Sequence, residues 1–167
     1  SDLSDESHDY IKNGFYAATR DAELKIPHAE LDVLMSIEPV TDKVNAAVTP
    51  TTSATEAQAL RKKAKAEIEK EAKERTGLTP EVVELYHGAR FDLYLYKRYT
   101  DVRLVFAPEY ALGFFGGDAD NFTYPRYCLD TIFLRAYENG KPAKTPNHLR
   151  WSRAGVKEGE LVFASGH

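Results

Sequence analysis

The 167-residue chain is 43% hydrophobic and 29% charged, with a net charge of −4 at pH 7, a composition that suits one globular domain with its own core. The acidic balance and the lack of a lysine- and arginine-rich block argue against a nucleic-acid partner. The sequence contains no run of 18 or more apolar residues, which a membrane-spanning helix would need. A single cysteine, Cys128, cannot form an internal disulfide.

The first third of the chain predicts short elements. Residues 8–20 mix aromatic and polar side chains in a way that is typical of short helical turns. Residues 30–40 alternate apolar and polar side chains, which is the period of a half-buried strand. The apolar face of that strand would consist of Leu31, Val33, Met35 and Ile37. Residues 47–55, rich in threonine and serine, predict a connection.

Residues 53–76 predict a long surface helix. Ser53 lies three positions before Glu56, the spacing of a capping box, which satisfies free amide groups at a helix start. Gly77 follows the last turn, where a left-handed cap costs glycine least. The apolar stripe would consist of Ala57, Leu60, Ala64, Ile68 and Ala72. The remaining lysine and glutamate side chains predict a solvated face and not a binding patch.

The rest of the chain predicts strands. The segments with strand composition are residues 82–86, 91–99, 101–106, 131–137 and 160–164. Turns are expected at residues 87–90 and 138–141, and a long irregular loop at residues 113–129. Short strands with one long helix predict a mainly β fold with an inserted helix (α+β), a barrel or sandwich rather than a βαβ sheet. A buried strand at the very end would leave an uncovered edge, so we expect the chain to be a piece of something longer.

The loop that follows Gly116 is the most unusual segment. Loops longer than about 12 residues without regular structure are usually functional or disordered, and the aromatic residues here argue against disorder. Asp118, Asp120 and Asn121 suggest a calcium site. The calcium-loop pattern, however, requires a ligand at its fifth position and glycine at its sixth. Phe122 and Thr123 occupy those positions, which argues against bound calcium.

Asp130 stands directly before the predicted strand at residues 131–137. A carboxylate in such a place can accept a hydrogen bond from a histidine and fix its orientation. From composition alone, however, an aspartate that bonds nearby amides at a strand start is the favoured interpretation. The five histidines are scattered without metal-ligand spacing, and no serine lies in a Gly-x-Ser-x-Gly elbow.

The run Gly116-Gly117-Asp118-Ala119-Asp120-Asn121-Phe122-Thr123-Tyr124-Pro125-Arg126, followed by Asp130, resembles the bacterial dipeptidyl-peptidase 7 and 11 family of serine exopeptidases. Residues 8–15, 97–108 and 159–163 are also similar to segments of that family. The resemblance therefore covers nearly the whole chain, and its central motif is long and specific.

The resemblance implies that residues 1–167 are part of a chymotrypsin-like double β-barrel catalytic domain. Members release N-terminal dipeptides from oligopeptides by a Ser-His-Asp triad, act as homodimers and are exported to the periplasm or cell surface. The triad aspartate maps onto Asp130. The family's histidine and serine motifs do not occur in this chain, so we expect a fragment that is inactive alone. No cofactor and no metal are expected.

Asn121 and Phe122 map onto the family positions that recognise the free α-amino group of the substrate. An ammonium group offers three donors and requires acceptors when it is desolvated. The chain departs from the family motif at Tyr124, where tryptophan is commoner, and at Tyr127, where histidine is commoner. The alternative is a non-catalytic peptide- or calcium-binding β domain, in which the same loop holds a ligand.

Overall fold

The computed structural model of the chain describes residues 3–114, 116, 123, 125 and 128–163. The helices and strands in this part are, in chain order, α1 (Tyr10–Asn13), β1 (Phe15–Tyr16), β2 (Leu24–Lys25), β3 (Leu31–Pro39), α2 (Thr41–Asn45), α3 (Ala54–Thr76), β4 (Thr79–Leu85), β5 (Arg90–Tyr99), β6 (Asp101–Ala107), α4 (Tyr110–Gly113), β7 (Phe133–Glu138) and β8 (Lys141–Pro142). Single turns of 3₁₀ helix lie at Arg20–Ala22 and Tyr86–Gly88. The predicted combination of β-strands with one long helix is confirmed. Every strand pair described is antiparallel, which agrees with the prediction that the sheet is not built from βαβ units.

One sheet has three strands in the order β3-β5-β4, and the main core lies between this sheet and α3. β5 is the central strand. Phe91 and Leu93 on this strand are almost fully buried, because its neighbours and the helices cover it. Val44 of α2 completes the same core. A central strand with partners on both sides buries its apolar residues most completely, which is why the core gathers around β5.

The helix α3 forms as its sequence predicts. The Ser53 hydroxyl accepts a hydrogen bond from the Glu56 amide at 3.3 Å, and Gly77 ends the helix in a left-handed conformation with φ 70°. Ala57 and Ala72 are buried, so the predicted narrow stripe faces the sheet. The helix is also joined to β4 through Glu69, whose carboxylate accepts from the Val82 amide at 2.8 Å.

The strand predicted at residues 30–40 exists, but its predicted half-burial is wrong. Val33, Met35 and Ile37 remain 43%, 55% and 48% exposed. β3 pairs on one side with β5, and an irregularity at Met35 shifts its register between Leu34 and Ser36. Leu31 and Val33 line a cavity of about 320 Å³ together with Leu134 and Pro142, so this apolar face is covered only loosely and stays largely open to solvent.

The second sheet has the order β1-β6-β7-β8, with β2 also paired to β6. The predicted turn at residues 138–141 is confirmed as a two-residue hairpin. Asn139 and Gly140 adopt φ of 52° and 73°, the left-handed pair that joins antiparallel strands with the right twist. This hairpin holds β8 against the end of β7.

The strand predicted at residues 160–164 is wrong for residues 160–163, which have no regular structure. Leu161, Val162 and Phe163 are exposed. A strand needs a partner for its backbone groups, and none of the described strands lies beside this segment. Among the described residues, no helix has the length and apolar character needed to cross a membrane.

Candidate active site

Asp130 lies three residues before β7 and is exposed at the edge of a cavity of about 380 Å³. The cavity is lined by Pro108, Glu109, Tyr110, Gly113, Phe114, Asp130, Thr131 and Ile132. No hydrogen bond or ion pair joins the Asp130 side chain to any residue in the described ranges. The amide-bonded arrangement favoured by composition alone is therefore not seen there, and the carboxylate is available to accept a bond from another group.

The short helix α4 holds the segment that carries Asp130. The Leu129 amide donates to the Leu112 carbonyl at 2.9 Å, and the Cys128 thiol lies 3.3 Å from the Phe114 carbonyl oxygen. The Thr131 amide then bonds the Leu129 carbonyl at 2.9 Å, which bends the chain around residue 130. Asp130 thus stands on a short segment with fixed backbone contacts on both sides.

Gly14 in turn fixes the position of α4. Gly14 adopts φ 68°, and a Cβ added there would lie 2.8 Å from the Glu109 nitrogen and 2.9 Å from the Ala107 oxygen. Only a residue without a side chain allows this approach. Tyr10 and Phe15, on either side of Gly14, meet edge to face with ring centroids 5.1 Å apart. The segment from α1 to β1 therefore lies directly against the start of the cavity wall.

A second, mainly apolar cavity of about 280 Å³ adjoins the first. Pro108, Tyr110 and Ile132 line both cavities, and Leu3, Ile11, Ile26 and Leu104 are among the residues that line the second one alone. The exposed carboxylate therefore stands beside an apolar hollow, an arrangement that is typical of sites where a second polypeptide segment or a ligand is bound.

The other predicted site residues, Asn121 and Phe122, lie outside the described residues, as do Asp118 and Asp120. Their roles stay predictions. Among the described residues, no group of three histidine, cysteine, aspartate or glutamate side chains could hold a metal ion.

A buried polar network behind β7 could not be predicted from the sequence. Glu23, only 8% exposed, accepts from the Tyr137 hydroxyl at 2.7 Å and from Arg135 Nε at 2.8 Å. Burial alone would raise the pKa of Glu23, but the hydrogen bonds from Tyr137 and Arg135 outweigh it and lower this pKa. Arg103 lies over the Tyr137 ring at 3.7 Å. The network joins the segment before β2 to β7, the strand that follows Asp130.

The fold and this cavity define a β-rich domain in which Asp130 is exposed at the cavity edge, and comparison with known proteins gives its class. The profile of the peptidase S46 family matches residues 1–167. The chain therefore belongs to the peptidase S46 family.

The chain is 33% identical over 179 aligned residues to dipeptidyl-peptidase 7 of Phocaeicola vulgatus, covering 98% of this chain and 25% of the relative. It is also 33% identical over 171 residues to the Asp/Glu-specific dipeptidyl-peptidase of Capnocytophaga gingivalis, covering 96% of this chain and 24% of that relative. The chain thus spans about a quarter of the length of these curated relatives.

A solved structure agrees with this result. The crystal structure of Porphyromonas endodontalis DPP11 in complex with the dipeptide Arg-Glu matches with a TM-score of 0.64 at 31% sequence identity. The match covers 86% of this chain and 22% of the solved one. Most of the fold described above is therefore similar to one part of a larger peptidase.

Proposed function

We propose that the polypeptide to which this chain belongs is a serine dipeptidyl-peptidase, and that Asp130 is the aspartate of its Ser-His-Asp triad. The observation that carries the proposal is the S46 match over residues 1–167, combined with an exposed, unbonded carboxylate beside a cavity. In such a triad the carboxylate accepts the histidine Nδ1–H, fixes the tautomer and stabilises the imidazolium. The histidine and the serine would come from polypeptide outside this chain.

Substrate capture would depend on the loop before Asp130. We propose that the Asn121 side-chain oxygen and the Phe122 backbone carbonyl accept hydrogen bonds from the free α-ammonium group of an oligopeptide. An acceptor left unpaired in a closed pocket penalises a peptide whose amine is blocked. This penalty would restrict the enzyme to removing dipeptides from free N-termini.

The architecture of the whole enzyme is part of the same proposal. The described sheets would form part of a chymotrypsin-like double β-barrel, and the enzyme would act as an exported homodimer in the periplasm or at the cell surface. The chain is equally similar to relatives named dipeptidyl-peptidase 7 and Asp/Glu-specific dipeptidyl-peptidase. We therefore expect residues outside this chain to select the side chain next to the cleaved bond.

The decisive experiment is Asp130→Asn in the full-length polypeptide. We expect kcat for dipeptide release to fall about 10⁴-fold, the loss typical of a triad that retains its geometry but has the wrong histidine tautomer. The matched control is Glu109→Gln, because Glu109 lines the same cavity and the change removes the same charge. Turnover in Glu109→Gln should stay near that of the wild type.

Near-normal turnover in Asp130→Asn would remove the triad assignment. Equal losses in both variants would mean that the cavity needs negative charge in general and not a carboxylate at position 130. The 167-residue chain alone should release no dipeptide, since the triad nucleophile and base are outside it.

A further inference from the structure

A cavity of about 450 Å³ lies between α3 and the turn that joins β4 to β5, on the sheet that does not carry Asp130. It is lined by Gln58, Arg61, Lys62, Lys65, Glu84, His87, Gly88 and Phe91. The sequence predicts that the charges of α3 form a solvated face. One part of that solvated face borders this half-open cavity, whose volume is in the range that binds small molecules.

The charges around this cavity are unbalanced. Arg61, Lys62 and Lys65 contribute three cations, and Glu84 is the one carboxylate among the lining residues. Lys65 pairs with Glu84 at 3.0 Å. Arg61 donates its Nε to the uncharged Asn45 side chain at 2.8 Å, which orients its guanidinium group without neutralising it. Within the described ranges Lys62 has no ion pair. A net positive cavity attracts an anion.

The floor of the cavity strengthens that attraction. Phe91 is 1% exposed and belongs to the main core. The Lys65 ammonium lies 4.7 Å from the Phe91 ring centroid, a cation–π contact that holds the charge over an apolar surface. Charges interact more strongly beside such low-dielectric material than in open water. An anion bound here would therefore gain more than one bound by lysines elsewhere on the helix.

The opposite wall is an unusual turn. Tyr86, His87 and Gly88 adopt φ of 52°, 55° and 87° in succession. Left-handed conformations are unfavourable for residues with a Cβ, and backbone of this kind is concentrated at ligand sites. The turn brings His87 and Gly88 to the cavity. A Cβ at position 88 would lie 3.3 Å from a Glu84 carboxylate oxygen, so the wall is close to that side chain.

We propose that this cavity is a binding site for a small oxyanion, that is, the phosphate or carboxylate group of a small molecule. Arg61 and Lys62 would supply charge-assisted donors, while Lys65, which is paired with Glu84, would hold the cavity wall over the Phe91 ring. The cavity is larger than a bare phosphate, so the natural ligand would carry additional atoms toward Gln58 or His87. This site is independent of the peptidase proposal, because it uses none of the residues around Asp130.

The test is a ¹⁵N–¹H NMR titration of the 167-residue chain with inorganic phosphate, and separately with acetate, at fixed pH and ionic strength maintained with chloride. We expect saturable shifts in the amides of residues 61–65 and 86–88. Saturation by phosphate alone assigns the site to phosphate groups, and saturation by both assigns it to oxyanions in general. Either result supports the proposal, whereas shifts that never saturate or that spread over the whole surface overturn it.

Lys62→Ala should weaken phosphate binding about tenfold, the value of one charge-assisted hydrogen bond. The matched control is Lys63→Ala, which removes the same charge from the neighbouring residue. The Lys63 side chain is exposed, and its ammonium lies 3.9 Å from a Glu67 carboxylate oxygen. The Kd of this variant should be unchanged. Equal weakening in both variants would mean that phosphate is attracted by the overall positive charge of the helix, and would contradict a specific binding site. Circular dichroism of both variants verifies that the helix remains folded.

Discussion

Gly14 combines two constraints that can be separated by mutation. Its φ of 68° is unfavourable for other residues, and an added Cβ would lie 2.8–3.1 Å from three backbone atoms of residues 107–109. We expect Gly14→Ala to lower the free energy of unfolding by about 2–5 kcal/mol, the sum of the left-handed cost and an overpacking cost. Urea unfolding followed by far-UV circular dichroism measures this loss.

Gly77→Ala is the matched control for this prediction. Gly77 has nearly the same φ, 70°, but nothing lies within 4 Å of the position that its Cβ would take. Its substitution should cost only about 1–2 kcal/mol, the conformational part alone. If the two variants lose the same stability, the close approach between Gly14 and residues 107–109 does not constrain the fold.

At the residue scale, the sequence could single out Asp130 as a candidate, because a long motif precedes it and resembles that of a known family; its role in catalysis stays a prediction. Glu23 could not be found in this way. Its partners Arg135 and Tyr137 are 112 and 114 positions away, and a single glutamate in a polar segment has no periodicity that distinguishes it. Only the pairing of β2 and β7 with β6 brings the three side chains together.

At the element scale, the Glu23 network joins the segment before β2 to β7, and its contribution should depend on pH. The folded-state pKa of Glu23 lies below its usual value of 4.5, because its hydrogen bonds to Tyr137 and Arg135 outweigh the effect of burial. A lowered pKa means that the ionised form stabilises the fold. This stabilisation is fully present above about pH 4.5 and is lost as the pH falls through the lower, folded-state pKa.

Glu23→Gln should therefore reduce the free energy of unfolding at pH 7 by about 1–3 kcal/mol, as expected for a disrupted buried hydrogen-bond network. The difference from the wild type should shrink as the pH falls below 4.5. The control is Glu38→Gln, which removes an exposed ion pair with Arg75 at 2.9 Å and should cost less than about 1 kcal/mol. A pH-independent difference for Glu23→Gln would contradict the ionised network.

Elements whose ends are set by local chemistry could be predicted from the sequence. The α3 helix begins after Ser53 and ends before Gly77, because capping residues act on the amides and carbonyls nearest to them. The short helix α2 was not predicted, since five residues carry too little periodicity. The burial of β3 was predicted wrongly for a different reason. Alternation gives the two faces of a strand, but whether a face is covered depends on what lies opposite.

At the scale of the whole molecule, apolar surface remains open in several separate places. Val33, Met35 and Ile37 on β3, and Ile132 and Phe133 near the start of β7, are all exposed. Water-exposed apolar patches of this kind usually mark an interface. The chain spans about a quarter of its curated relatives, so the proposed peptidase has ample polypeptide with which to cover them.

The segment after β8 gives the sharpest test of this exposure. Residues 144–163 have no regular secondary structure, and Trp151, the only tryptophan of the chain, is 85% exposed. We expect its fluorescence maximum to change little when urea unfolds the 167-residue chain, although the far-UV circular dichroism signal of the helix and sheets is lost in the same samples. An indole that is already hydrated gains almost no water on unfolding.

Quenching by acrylamide provides the matching measurement, because the quencher should reach Trp151 almost as well in the folded chain as in the urea-unfolded one. Trp151→Phe should leave the unfolding midpoint unchanged, since an exposed side chain contributes little to stability. A large red shift on unfolding, or strong protection from acrylamide, would contradict the prediction. Either result would mean that the segment around residue 151 packs against the sheets of the chain itself and does not need another part of the proposed peptidase to cover it.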